Sequence, residues 1–177
     1  RRGQRRLMIE HCTIGIDPGL DGGIACIANG QLATVDAMPT VTYKVAGKQR
    51  RRVDAEGVKH ILEYCHETYA PAGQTPVVVI EQQSTRAGLS STAVFSTGYG
   101  YGLLTGLVTG LNWSLSVYTP KEWQKEVGIA KADKALSVDI ACRLWPDFAT
   151  GFRGPRGGLK DGPAEAALIA AAYEGLA

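Results

Sequence analysis

An acidic residue that closes an apolar run is costly to bury unless something partners it, and this chain closes two such runs that way. IGID ends on Asp17 before Pro18-Gly19, and VVVIE ends on Glu81. Two further acids, Asp161 and Glu165, stand one helical turn apart at the head of an alanine-rich segment, so they share a face. Taken singly, each has an ordinary reading: a turn residue before Pro-Gly, a solvated strand end, or an acid favoured at a helix start. Taken together, carboxylates converging on one cleft repel each other and take up protons unless divalent metal neutralises them. Mg²⁺ favours such all-oxygen donors plus water and substrate phosphate. Two ions on the order of 4 Å apart stabilise both the attacking and the leaving oxygen of phosphodiester cleavage.

These acids can meet only if the elements carrying them are neighbours. Residues from about Cys12 to Asp17, Gly23 to Ala28 and Gln31 to Ala37 read as short strands separated by Pro18-Gly19, Asp21-Gly22-Gly23 and Asn29-Gly30. They predict an antiparallel meander. A polar loop carrying KQRRR follows, and Asp54 then caps a helix to about Tyr69, with Val58, Ile61, Leu62 and Cys65 on one face. The β-branched run after Pro76 has the character of a strand buried on both faces. A long helix is expected from about Ser90 to Leu111, then a strand from Ser114 to Tyr118. Thr119-Pro120-Lys121-Glu122 has the makings of a capping box, and another helix is expected from about Ala132 to Trp145. GFRGPRGGLK reads as a glycine-rich basic loop before a terminal helix.

The order of elements predicts an α/β fold: a five-stranded mixed sheet, three antiparallel strands and then two parallel ones, with helices on both faces. Parallel neighbours would bring Asp17 and Glu81 to the same sheet edge. Gly19, Gly22 and Gly23 would let the chain turn away and leave room for substrate.

With 177 residues, 45% of them hydrophobic and 20% charged, the chain has the size and composition of one soluble domain. Cys12, Cys26, Cys65 and Cys142 show neither metal-ligand spacing nor a disulfide framework, and a reduced compartment fits them. No apolar run approaches the ~20 residues of a membrane span. A chain that starts at Arg is compatible with the earlier loss of a targeting segment.

The net charge is only +2, but the positive charges are clustered. Arg1, Arg2, Arg5 and Arg6 read as a solvated face or a remnant of cloning. Lys48 with Arg50, Arg51 and Arg52, and Arg153 with Arg156 and Lys160, fall in expected loops and suit a phosphate backbone. Lys121, Lys131 and Lys134 are weaker candidates of the same kind. Gly98, Gly102, Gly106 and Gly110 recur every fourth residue of the long helix, which suggests a close backbone approach, either to the sheet or to a second subunit.

IGIDPGLDGG, VVIEQ, YTPKEW, KADKA and KDGPAEAALIAAAYEG, in this order, resemble the RuvC-like Holliday-junction resolvases of the RNase H superfamily. The KQRRR loop, the GYG run and the form of the C-terminal end look closest to the plant (monokaryotic) chloroplast resolvases. The resemblance covers roughly Ile14 to Leu176. It implies a basic extension over 1–12 and an RNase H-like nuclease domain over 13–177. It further implies a homodimer that cuts four-way DNA junctions in pairs, with no membrane partner and no nucleotide cofactor. Asp17, Glu81, Asp161 and Glu165 match the acidic tetrad that holds two Mg²⁺ per site, with Mn²⁺ as an acceptable substitute. Related resolvases wedge an aromatic residue into the junction from the segment after the strand-end glutamate. Here QQSTRAGLSS carries none before Phe95, which leaves Gln82, Gln83 and Arg86 to read bases. Asp21, outside the motif, reads as a turn residue. The expected location is the chloroplast nucleoid, or otherwise a bacterial or phage cytoplasm.

Other readings keep the acids and change the partner: a nuclease for other branched DNA or structured RNA, or a junction-binding protein without catalysis. A sugar-kinase or actin-like ATPase also opens on an Asp-Gly turn, but needs a second domain for which this chain lacks the length.

Overall fold

The computed structural model describes residues 10–85, 88–129 and 133–176. The meander forms as expected: β1 (Cys12–Asp17), β2 (Gly23–Ala28) and β3 (Gln31–Ala37) pair antiparallel. Positive φ at both Asn29 and Gly30 makes the tight turn that matches strand twist. β6 (Val77–Glu81) and β7 (Ser114–Tyr118) then add in parallel, giving the order β3-β2-β1-β6-β7.

Where a loop was expected, KQRRRV is a strand. β4 (Thr40–Val45) and β5 (Lys48–Val53) form a separate antiparallel hairpin outside the main sheet. Its turn is Ala46-Gly47, both with positive φ. The hairpin leaves Lys48 to Arg52 exposed, so no apolar alternation marks it in the sequence. Val53, buried at its base, seats it beside Gly100.

Period-two alternation sorts the sheet into two faces. Ile14, Ile16, Val78 and Ile80 pack with α1 (Ala55–Tyr69) and α2 (Ser91–Gly110), through Val58, Leu62, Leu104 and Val108. Ala25, Ile27 and Val79 pack on the other face, under α3 (Pro120–Glu126), α4 (Lys134–Leu144) and α6 (Asp161–Glu174). A short α5 (Ala149–Phe152) runs into the first two residues of the segment expected as a basic loop. Among the described residues no helix is long and apolar enough to cross a membrane.

α6 lies unusually deep, because alanine and glycine remove the side chains that would hold it off. A Cβ at Gly15 would come closer than 3.0 Å to the Ala166 carbonyl, and one at Gly23 would collide with the Pro163 backbone. Gly22 bridges Gly162 in parallel fashion. Gly23 therefore serves the approach of α6, while Gly22 lets the chain turn tightly after Asp17, as the sequence suggested. The stripe Gly98, Gly102, Gly106 and Gly110 meets nothing within 4 Å, so it does not pack on the sheet. The opposite row, Gly100, Leu104 and Val108, faces the core.

Candidate active site and nucleic-acid interface

Ile16 pairs with Ile80, so the next residues, Asp17 and Glu81, end adjacent parallel strands on the face that receives α6. Asp161 opens α6 beside the Gly22–Gly162 bridge, and Glu165 follows one turn later. The four acids feel one another. Burial first, and then the charges of Glu81 and Asp161, push Asp17 up to about 6 against a Gly19 amide that favours its ionised form. Burial again, followed by Asp17, Glu81 and Asp161, pushes Glu165 up to about 7. Burial is the larger cause at both residues, and the smaller repulsion among the acids shows that they are neighbours.

Each acid has its own supports. Gly19 N–H donates to Asp17 Oδ1 at 3.2 Å, and Ser137 Oγ on α4 donates to Glu165 Oε1 at 3.4 Å. Glu81 receives the Trp123 indole N–H on Oε2 at 2.7 Å and the Gln83 amide on Oε1 at 3.2 Å. Lys134 pairs with Asp161, and that bond raises the lysine. Lys134, a weaker DNA-contact candidate from the sequence, is exposed and stands beside the acids.

The donor set is all carboxylate oxygen, which suits a hard divalent cation such as Mg²⁺. Burial and the neighbouring acids outweigh the opposing charge of Lys134, so Asp17 and Glu165 hold protons well above the ordinary carboxylate range. Among the described residues, however, no three His, Cys, Asp or Glu side chains already stand close enough to hold an ion. Lys134 occupies Asp161, while Trp123 and Gln83 occupy Glu81. The residues thus fit the metal by chemistry and neighbourhood.

A cleft of about 650 Å³ opens next to the acids. Pro18 and Gly19, directly after Asp17, form one wall with Gln83; Arg50, Arg51 and Arg52 form the hairpin wall; Phe95 and Tyr99 line the helix wall. Arg51 donates to Asp21 Oδ1 at 2.6 Å, which ties the hairpin to the β1–β2 turn. Asp21 is therefore a turn residue, as expected, with a second task. Arg52 lies over the Tyr43 ring at 5.2 Å, and Phe95 stacks on Tyr99 at 6.2 Å. Phe95 is 73% exposed, an unusual position for a phenylalanine that only packs.

The remaining basic candidates are spread more widely. Lys48, Gln82, Lys121, Arg156 and Lys160 are exposed and outside the cleft lining, and Lys160 immediately precedes Asp161. Lys160 donates to the Thr150 carbonyl at 2.9 Å, and Arg153 pairs with Asp139. Arg86 and Lys131 lie outside the described residues, as does the basic group Arg1, Arg2, Arg5 and Arg6. Sequence reasoning passed over Tyr43, Tyr99, Trp123 and Ser137. The Phe95/Tyr99 spacing of four residues was the one legible hint of a shared helical face.

No family model matches the sequence, and no curated protein matches it. Solved structures do share its architecture. Thermus thermophilus RuvC in complex with a Holliday junction substrate aligns with a TM-score of 0.59 at 15% identity, covering 93% of this chain and 93% of that one. A second structure of Thermus thermophilus RuvC aligns with a TM-score of 0.50 at 16% identity, over 92% and 95% of the two chains. The yeast mitochondrial Holliday junction resolvase Ydc2 is more distant, with a TM-score of 0.49 at 14% identity, over 93% and 78%. The chain has the RNase H-like fold of these RuvC neighbours, the mixed sheet expected from the sequence.

Proposed function

We propose that this chain is a structure-specific endodeoxyribonuclease that resolves four-way DNA junctions. One observation carries the reading: acids from two strand ends and one helix lie near enough to raise one another's pKa, and the residues directly after Asp17 line an arginine-walled cleft. Its fold neighbour, Thermus thermophilus RuvC, is described with a Holliday junction substrate, which supports the choice of substrate.

Asp17, Glu81, Asp161 and Glu165 are the residues that would hold Mg²⁺, two ions per site. When bound, the metal supplies charge neutralisation for the phosphate and an activated water. The chain's own groups do the positioning. Arg50, Arg51 and Arg52 bind backbone phosphates beside the acids. Phe95 and Tyr99 offer a stacking platform to an unpaired base at the branch. Lys134, paired with Asp161, places a positive charge beside the acids and could meet a backbone phosphate there.

Paired cutting calls for two sites related by two-fold symmetry, and the open glycine stripe of α2 is the surface we assign to the second copy. Residence in the chloroplast nucleoid belongs to the same reading and rests on the resemblance of the basic hairpin and C-terminal motifs.

The test is cleavage in Mg²⁺ of a four-way junction, a linear duplex and an RNA hairpin by wild type and by Glu81→Gln. Symmetric nicks on the junction, with binding and no cutting by the variant, are the expected result. Equal cutting of every substrate rejects junction resolution, and full activity in Glu81→Gln rejects the metal assignment.

A further inference from the structure

Trp123 is completely buried, yet its polar edge is directed at the acidic pocket. Its indole N–H donates to Glu81 Oε2 at 2.7 Å, a short contact for an N–H donor. Two features of the backbone set this meeting. Glu81 is in register with Tyr118 across the parallel β6–β7 pair, and the Gln82 amide donates to the Tyr118 carbonyl at 2.7 Å. The chain then turns at once into α3, whose start is locked by the reciprocal Thr119–Glu122 capping box. Trp123 is the next residue, so the cap fixes its height relative to Glu81. Packing with the α6 face of the sheet fixes the ring itself.

We propose that Trp123 is a positioning residue for Glu81, its buried indole N–H holding the carboxylate in the orientation that a divalent cation requires. This rests on the metal-dependent nuclease reading. An indole N–H is donor-only, so it can meet Glu81 only at a carboxylate oxygen that accepts, which favours the ionised form a cation needs. Gln83, a second support of Glu81, is on a cleft-lining segment and has a longer bond. The indole is therefore the rigid partner. Outer supports of this type typically contribute about 10–100-fold to metal affinity.

Two variants test this, with Mn²⁺ binding by calorimetry as the readout and junction cleavage measured alongside. Trp123→Phe removes the N–H and part of the ring. Replacement of Trp123 by benzothienylalanine removes the N–H and keeps the bicyclic shape, which covers the case in which Trp123→Phe does not fold. Both should weaken Mn²⁺ binding by about 10–100-fold. In a Glu81→Gln background the replacement should have no further effect on binding. The Trp123 indole NMR resonance should also shift when Mg²⁺ is added to wild type and when Glu81 is changed to Gln.

Wild-type Mn²⁺ affinity in the benzothienylalanine protein overturns this inference alone, as does an additive loss in the Glu81→Gln background. A wild type that neither binds Mn²⁺ nor cuts overturns the nuclease reading, and the inference with it.

Discussion

Gly22 and Gly162 meet backbone to backbone, the turn after Asp17 bridged to the first residues of α6 with no side chain between them. That contact brings Asp161 and Glu165, from the far end of the sequence, onto the two strand-end acids. A methyl group at Gly162 would lie closer than 3.0 Å to the Asp21 carbonyl and to Gly22 itself. Gly162→Ala should therefore destabilise the chain by roughly 3 kcal/mol, at the upper end of overpacking costs, and abolish cleavage. A urea midpoint measures the first, with Gly158→Ala, which meets nothing within 4 Å, as the neutral control.

The raised acids make a prediction about pH. Asp17 and Glu165 bind protons in the fold up to about 6 and about 7, whereas the unfolded chain releases them near the ordinary values of 3.8 and 4.5. The folded state thus holds more protons in this window, and stability falls as pH rises through it. Metal-free protein should lose melting temperature from about pH 4 to about pH 8, and saturating Mg²⁺ should remove the loss at the upper end. In the Asp17→Asn/Glu165→Gln double variant the slope should flatten. A metal-free melting temperature that rises over this range contradicts the shared pocket.

The hairpin arginines have an electrostatic readout. If Arg50, Arg51 and Arg52 each neutralise a phosphate, replacing all three with alanine lowers the slope of log binding constant against log salt by about 2–3. Junction binding at several salt concentrations gives that slope directly. An unchanged slope removes the hairpin from the DNA footprint.

The glycine stripe separates stability from assembly. An exposed helical glycine costs about 1 kcal/mol relative to alanine, so Gly102→Ala and Gly106→Ala should each stabilise the monomer by roughly that amount. If the stripe seats a second copy, the same changes weaken the dimer, which sedimentation equilibrium detects. A dimer indifferent to both changes places its interface elsewhere.

The elements were largely legible because their local rules are strong. Asn29-Gly30, the Asp54 cap, the Thr119 capping box and the β-branched run ending on Glu81 all appear where the residues demand. The acids could be singled out for the same reason: a carboxylate ending an apolar strand is anomalous on its own. Only the tertiary structure made KQRRR a strand, because a hairpin exposed on both faces needs no apolar alternation and its Ala46-Gly47 turn carries a weak signature. Likewise, whether Gly98 to Gly110 meet the sheet or open space depends on which way α2 rolls, and every fourth residue fits either face. The supports of the site, Trp123, Ser137 and Lys134, come from elements remote in sequence from the acids they contact. Local propensity reaches one turn of helix or one strand; the packing of α3, α4 and α6 over the sheet decides which groups share a pocket.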